Sequence, residues 1–255
     1  MNIPTDRRPA SGHVREWPIY LAEARCELLR VLRTPAFAIP SLLFPLLFYL
    51  LFGVLLARGN GSAYLLATYG VFGAMAPGLF GFGVTLAIDR ERGLLTLKRA
   101  LPAPPAAWLL ARMLMAMLFA LLIALMLLAA GTSLGGVKIS PAQGLALVAV
   151  DVLAALPFCA IGLLIGSCAS ASAAPAIVNL VYLPLALLSG LWLPLSLLPP
   201  VFAALAPLWP SWHLAQLALH VAGQSALGSP LLHVAMPLAV AALCFALALR
   251  RLRRG

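Results

Sequence analysis

The sequence predicts an all-α integral membrane protein of six transmembrane helices, preceded by an interfacial helix. Three observations lead there. Hydrophobic residues make up 63% of the 255-residue chain and charged residues only 9%, against roughly 25% charge in a soluble domain. A soluble fold of this length could not hide so much apolar surface, so lipid must be the solvent for most of it. Apolar stretches near 36–57, 64–88, 107–130, 142–167, 173–193 and 231–249 each reach about the 20 residues that cross a bilayer. The basic residues sit in clusters beside these stretches. A net charge of +10 is therefore topology information and not the footprint of a nucleic-acid partner.

In chain order, residues 16–34, "EWPIYLAEARCELLRVLRT", come first. Trp17, Tyr20, Leu21, Ala24, Leu28 and Leu32 form one stripe of a helix, with Glu23, Glu27, Arg30 and Arg33 towards the other face. That pattern suits a helix lying in the membrane interface behind a Trp anchor. The first apolar run begins near residue 36 and is long enough to span. It is expected to stay as an anchor and not to be a cleaved leader. The four cysteines (Cys26, Cys159, Cys168 and Cys244) show no paired spacing, so free thiols are expected.

Arg7, Arg8, Arg15, Arg25, Arg30 and Arg33 precede the first span. Arg90, Arg92, Lys98, Arg99 and Arg112 lie between or beside the second and third, and Arg250, Arg251, Arg253 and Arg254 follow the last. Fifteen of the seventeen basic residues thus fall on one side, leaving Arg58 and Lys138 for the other. The positive-inside rule then predicts that both termini are cytoplasmic. Arg112, just inside the third span, is expected to snorkel to the headgroups.

Residues 89–105, "DRERGLLTLKRALPAPP", pack both signs of charge around a short apolar core and end in prolines. Leu94, Leu95, Leu97 and Leu101 are costly to leave in water, so a docked partner protein is expected here. Asp151 stands about nine residues into the fourth span. A carboxylate at mid-membrane costs roughly 2.5–3.5 kcal/mol on insertion scales, so it should face the bundle. It is a candidate either for the translocation path or for a hydrogen bond holding helices together, with the second reading favoured.

Between Asp151 and Arg250 no charge marks the spans. Parity requires an odd number of crossings from Lys138 outside to Arg250 inside, and three result if 194–228 does not cross. Prolines 194, 199, 200, 207 and 210 oppose a continuous helix in the first half of that segment. In the second half, His213, Gln216, His220 and Gln224 recur on one helical face, which suits an interfacial helix.

These pieces in this order resemble the membrane subunit, or permease, of type 2 ABC transporters. The resemblance covers essentially the whole chain. It rests on the amphipathic first helix, on "ERGLLTL" at 91–97, and on "LSGLWLPLSLLP" followed by "LAPLWPSWHL". It implies one transmembrane permease domain over 1–255, with an interfacial helix at 16–34 and a coupling segment at 89–105. It further implies that 194–228 is a re-entrant helical hairpin between spans 5 and 6, dipping in from the outer face. The coupling residues would be Glu91, Arg92, Gly93, Leu94, Leu95, Leu97, Lys98 and Arg99. The family's acidic-x-Gly-Thr-Leu stretch is matched at Glu91 and Gly93, but two leucines precede Thr96, and Lys98 replaces the acidic residue that often follows. Candidates for the path and its gate are Asp151, Ser189, Gly190, Pro194 and Pro199.

The resemblance implies an ATP-driven exporter in the bacterial inner membrane, working as a permease dimer with two copies of a separate ABC ATP-binding subunit. ATP and Mg would bind that partner, and no metal or cofactor is expected on this chain. "GTSLGGVK" at 131–138 nearly matches a phosphate-binding loop, but Val137 stands where lysine is needed and no strand precedes it. The absence of a large outer domain favours a small amphipathic, lipid-like or glycan-linked cargo.

Two enzyme readings compete. An intramembrane serine protease would pair Ser189 with His233, yet Leu187 stands where a Gly-x-Ser motif needs glycine. A haem subunit would need histidines on facing helices, and the closely spaced pair, His213 and His220, lies outside the six spans.

Overall fold

The structure is a computed structural model and describes residues 17–57, 60–100 and 105–254. Among these, all regular structure is helical. Helix α1 (Trp17–Leu32) is followed by α2 (Pro35–Phe48), which continues as π-helix through Tyr49–Leu56. Pro40 and Pro45 lie inside α2, and each removes a backbone donor. The wider ladder persists to its end, where the Ala57 N–H donates to the Phe52 carbonyl at 2.7 Å.

Helix α3 (Asn60–Glu91) and α5 (Pro105–Ser133) are the longest, at 32 and 29 residues. At 1.5 Å per residue they measure about 48 and 44 Å, more than the ~30 Å hydrocarbon core, so their ends must project from it. The short α4 (Leu94–Ala100) lies between them. Gly93, at φ 71°, makes the left-handed turn that ends α3.

Helix α6 (Pro141–Cys168) starts at a capping box. The Gln143 N–H donates to Ser140 Oγ and the Ser140 N–H donates back to Gln143 Oε1 at 3.0 Å. Its core contact is with α3. A β-carbon on Gly162 would stand 2.7 Å from the Gly78 carbonyl, and one on Gly166 2.6 Å from that of Gly83. Small residues four apart let the two backbones touch, the means by which helices associate where lipid supplies no hydrophobic drive.

Helix α7 (Ala174–Leu188) is only 15 residues, about 22 Å. It stops at Ser189–Gly190. Gly190 has φ 72°, its N–H donates to the Leu187 carbonyl and that of Leu191 to Ala186, the hydrogen bonds of a Schellman cap. The chain then breaks into a 3₁₀ turn, α8 (Pro200–Leu205), a second 3₁₀ turn and α9 (Pro210–Val221). Helix α10 (Pro230–Arg254) closes the bundle.

Among the described residues, five helices are long and apolar enough to cross a membrane: Pro35–Leu56, Gly61–Glu91, Ala107–Ser133, Pro141–Cys168 and Pro230–Leu252. The stretch expected as the span 173–193 is the shorter α7. Of the apolar window of α3, 67% is buried within the chain, against 17% for the first and last spans. Helix α3 is the centre of the fold, and α2 and α10 turn apolar faces outward.

Candidate functional site

The arginine-rich ends of α1, α3 and α5 converge. Arg112 on α5 is buried, and does not reach outward as expected from its position near the end of a span. It donates to Glu27 of α1 at 3.1 Å and to Asp89 of α3. Arg30 of α1 meets the same Asp89 with both guanidinium nitrogens, at 3.2 and 3.3 Å. It also lies 3.6 Å from Glu27. Two arginines and two carboxylates thus tie three helices together. The Arg112 guanidinium also sits 5.1 Å from the centre of the Trp108 ring, a cation–π distance.

This network turns α1 inside out relative to a helix on a soluble protein. Glu27 is buried while Trp17, Leu21 and Leu32 are exposed. The apolar stripe faces outward and the charged face packs against α5 and α3.

The last turn of α3 is stitched to the turn between α6 and α7. Arg90 donates to the carbonyls of Ser167 and, at 2.7 Å, Ala169. Glu91 accepts the Ala171 N–H at 2.8 Å. On α4, Leu94 and Leu97 are exposed, whereas Leu95 packs on the core. Arg92 is exposed. The side chains of Lys98 and Arg99 lie outside the described residues.

Asp151 lies far from that end. It is 2% exposed, its carboxylate packs against Gly70 of α3, and its Oδ1 has no hydrogen-bond partner among the described residues. It sits inside the α3–α6 contact and not on an open wall.

Ser189 and Gly190 are at the opposite end. Ser189 Oγ hydrogen-bonds Ser211 Oγ at 2.5 Å, which in turn donates to the Leu185 carbonyl. The Tyr64 hydroxyl of α3 donates to the Gly190 carbonyl at 2.8 Å. The broken stretch after α7 is therefore anchored to α3 and α9. Pro194 and Pro199 immediately precede its 3₁₀ turn and α8.

His233 does not meet Ser189. Its Nδ1 is 2.9 Å from Nδ1 of His213, so the nucleophile–base contact that a serine protease requires is not formed. Both outer ring nitrogens face carbonyls, of Pro207 and of Leu227. These three contacts need three ring hydrogens, one more than two neutral imidazoles own.

Sequence reasoning also missed an aromatic cluster. Phe72 stacks on Tyr182 at 5.3 Å and meets Trp192 edge-on at 5.5 Å, while Phe48 lies 6.1 Å from Trp192. It joins α2, α3 and α7 where the broken stretch begins. Phe44, Phe48 and Phe52 do recur at helical spacing and touch in series, but nothing within one segment says that Phe72, Tyr182 and Trp192 from other parts of the chain meet them.

The fold and this site define a class: a multi-pass helical membrane protein whose charged helix ends are locked together at one end and whose apolar chain is broken at the other. The chain matches the ABC-2 type transporter family over residues 20–221 and belongs to that family. It is a membrane transport subunit. It is similar to a protein of Bacillus subtilis (strain 168) named, provisionally, as the transport permease YvfS. The two are 27% identical over 192 residues, covering 73% of this chain and 78% of that protein.

Proposed function

We propose that this chain is the membrane-spanning half of an ATP-driven bacterial exporter, powered by a separate ATP-binding subunit that docks on α4. The observation that carries this reading is α4 itself. It is a two-turn helix held between the two longest helices, with Leu94 and Leu97 offered outward. Lys98 and Arg99 on it carry the charge that orients a partner, and the two leucines supply area to bury. The Glu27–Arg30–Asp89–Arg112 network then passes a push on α4 from α3 into α5 and α1. Glu91 works from within, holding α3 to the α6–α7 turn. ATP and Mg²⁺ belong to the partner, and this chain performs no hydrolysis itself.

In this reading the arginine-rich end faces the cytoplasm with both termini, following the positive-inside rule. Parity then makes α7, with the apolar residues up to Trp192, the fifth of six crossings. Residues 194–228 form a re-entrant segment at the outer face of the cell membrane. Helix α9 is buried against the bundle, whereas the proline-bearing turns before it are largely exposed, so the backbone they free must meet water at the edge of that face or line a wet cavity. Two copies of the chain, each with its own ATPase, would line the path between them and rock as ATP turns over. Gly190, Pro194 and Pro199 shape the outer gate, Ser189 fixes it to α9, and Asp151 holds α3 to α6.

Ser196 and Ser225 are both exposed. With the four native cysteines replaced, Ser196→Cys and Ser225→Cys are each expected to react with an impermeant thiol reagent added outside whole cells. Reaction at only one of them would mean that 194–228 crosses the membrane, and the gate assignment would fall.

A further inference from the structure

Beneath α1 a cavity of about 380 Å³ opens between α1, α2, α3, α5 and the start of α7. Its volume lies within the roughly 300–1,000 Å³ of ligand pockets. One part of its lining is charged, with Arg30, Arg92 and Arg112 against Glu27. Asp89, paired with Arg30 and Arg112 behind them, still leaves one positive charge in excess. The rest is apolar: Phe37, Phe80 and Phe119 are among its walls, with the rings of Phe37 and Phe119 6.2 Å apart.

Arg112 gives the second indication. It is 5% exposed, and its Nη1 has no hydrogen-bond partner among the described residues. A buried donor left unpaired costs about 1–3 kcal/mol, so an acceptor entering the cavity would be welcome at that corner. Depth gives the third. The outward apolar stripe of α1 places that helix at the boundary of headgroups and acyl chains, and the cavity lies directly under it.

We propose that this cavity holds one anionic phospholipid of the adjacent leaflet as a resident ligand. Its phosphate lies on Arg92, Arg30 and the free corner of Arg112, and one acyl chain runs between Phe37, Phe80 and Phe119. The lipid wedges α1 against α3 and α5, at the helices that the coupling network joins. The inference rests on reading α1 as interfacial, but it requires no ATPase and no knowledge of the cargo.

Gly81 provides a clean probe, because it lines the cavity and a β-carbon there meets nothing within 4 Å. The purified chain, in detergent, is titrated with phosphatidylglycerol, with phosphatidylcholine of the same acyl chains, and with glycerol phosphate, and binding is read by native mass spectrometry. One phosphatidylglycerol per chain is expected, held about tenfold more tightly than phosphatidylcholine, the worth of a charge-assisted contact. Arg92→Gln should erase that preference, and Gly81→Leu should displace the lipid while the chain stays folded. Equal binding of the two lipids, or binding unmoved by both variants, overturns the proposal. So does glycerol phosphate binding as tightly as the lipid, since the apolar half would then be idle. ATP-dependent appearance of labelled phosphatidylglycerol in the opposite leaflet of vesicles would make it cargo and overturn the resident role. Docking of the ATPase on α4 is a separate measurement, so either idea can fail alone.

Discussion

Arg112→Leu is expected to cost about 3–5 kcal/mol of stability, because removing one partner of a buried ion pair strands the other. Here it strands two. Glu27 and Asp89 have side chains only 10% and 8% exposed, and both depend on Arg112, with Arg30 left to serve them alone. Arg112→Lys keeps the charge but loses the planar fork that reaches two carboxylates on different helices, so it should fall between. Adding Glu27→Gln and Asp89→Asn to Arg112→Leu removes the stranded charges and should recover part of the loss. Thermal melting of the purified chain in detergent reads all of these. Melting of Arg112→Leu at the wild-type temperature would show that the network contributes nothing to holding α1, α3 and α5.

Gly166→Leu is expected to prevent assembly of the bundle. A β-carbon there would be 2.6 Å from the Gly83 carbonyl, 2.9 Å from Leu86 Cβ and 3.1 Å from the Phe82 carbonyl. Two of these are backbone, so α3 and α6 must separate along their contact. Overpacking typically costs about 1–3 kcal/mol where side chains can yield, and backbone cannot yield so cheaply. Gly81→Leu on α3 is the control, since it enters open space. The yield of monodisperse protein after extraction should collapse for Gly166→Leu and stay near wild type for Gly81→Leu. Equal yields would mean that α3 and α6 do not touch as described.

What could be read from the chain was local. The short apolar core with charges on both sides could be read within 89–105, and α4 with its leucines lies there. The pairings could not be read that way. Arg112 lies 85 residues from Glu27, and a lone arginine at a span's end looks like one that snorkels until its partners are in place. The stripe His213, Gln216, His220 and Gln224 is divided, with His220 exposed and Gln224 half-buried. It suggests a helix turned towards headgroups, yet His213 and Gln216 are buried. Gln216 Oε1 accepts the Leu227 N–H at 2.7 Å, and His213 meets His233. Their polarity is answered by protein. Helix α7 ends short of a full span because Gly190 supplies a cap, and whether such a glycine ends a helix depends on the contact it finds, here Tyr64.

If force from ATP hydrolysis enters through α4, Leu97→Asp should break its passage into the membrane. Leu97 is 59% exposed, so the change leaves the core intact while placing a charge where a partner's groove should be apolar. Wild type and Leu97→Asp are each co-expressed with the cognate ATPase and reconstituted in vesicles, and both ATP hydrolysis and ATP-driven transport are measured on the same preparation. The expected result is a folded variant that either loses the ATPase on purification or hydrolyses ATP with transport reduced by an order of magnitude or more, as about 1.4 kcal/mol of lost contact gives. Wild-type transport by Leu97→Asp, with the ATPase still bound, would show that α4 is a solvated turn and that coupling passes elsewhere.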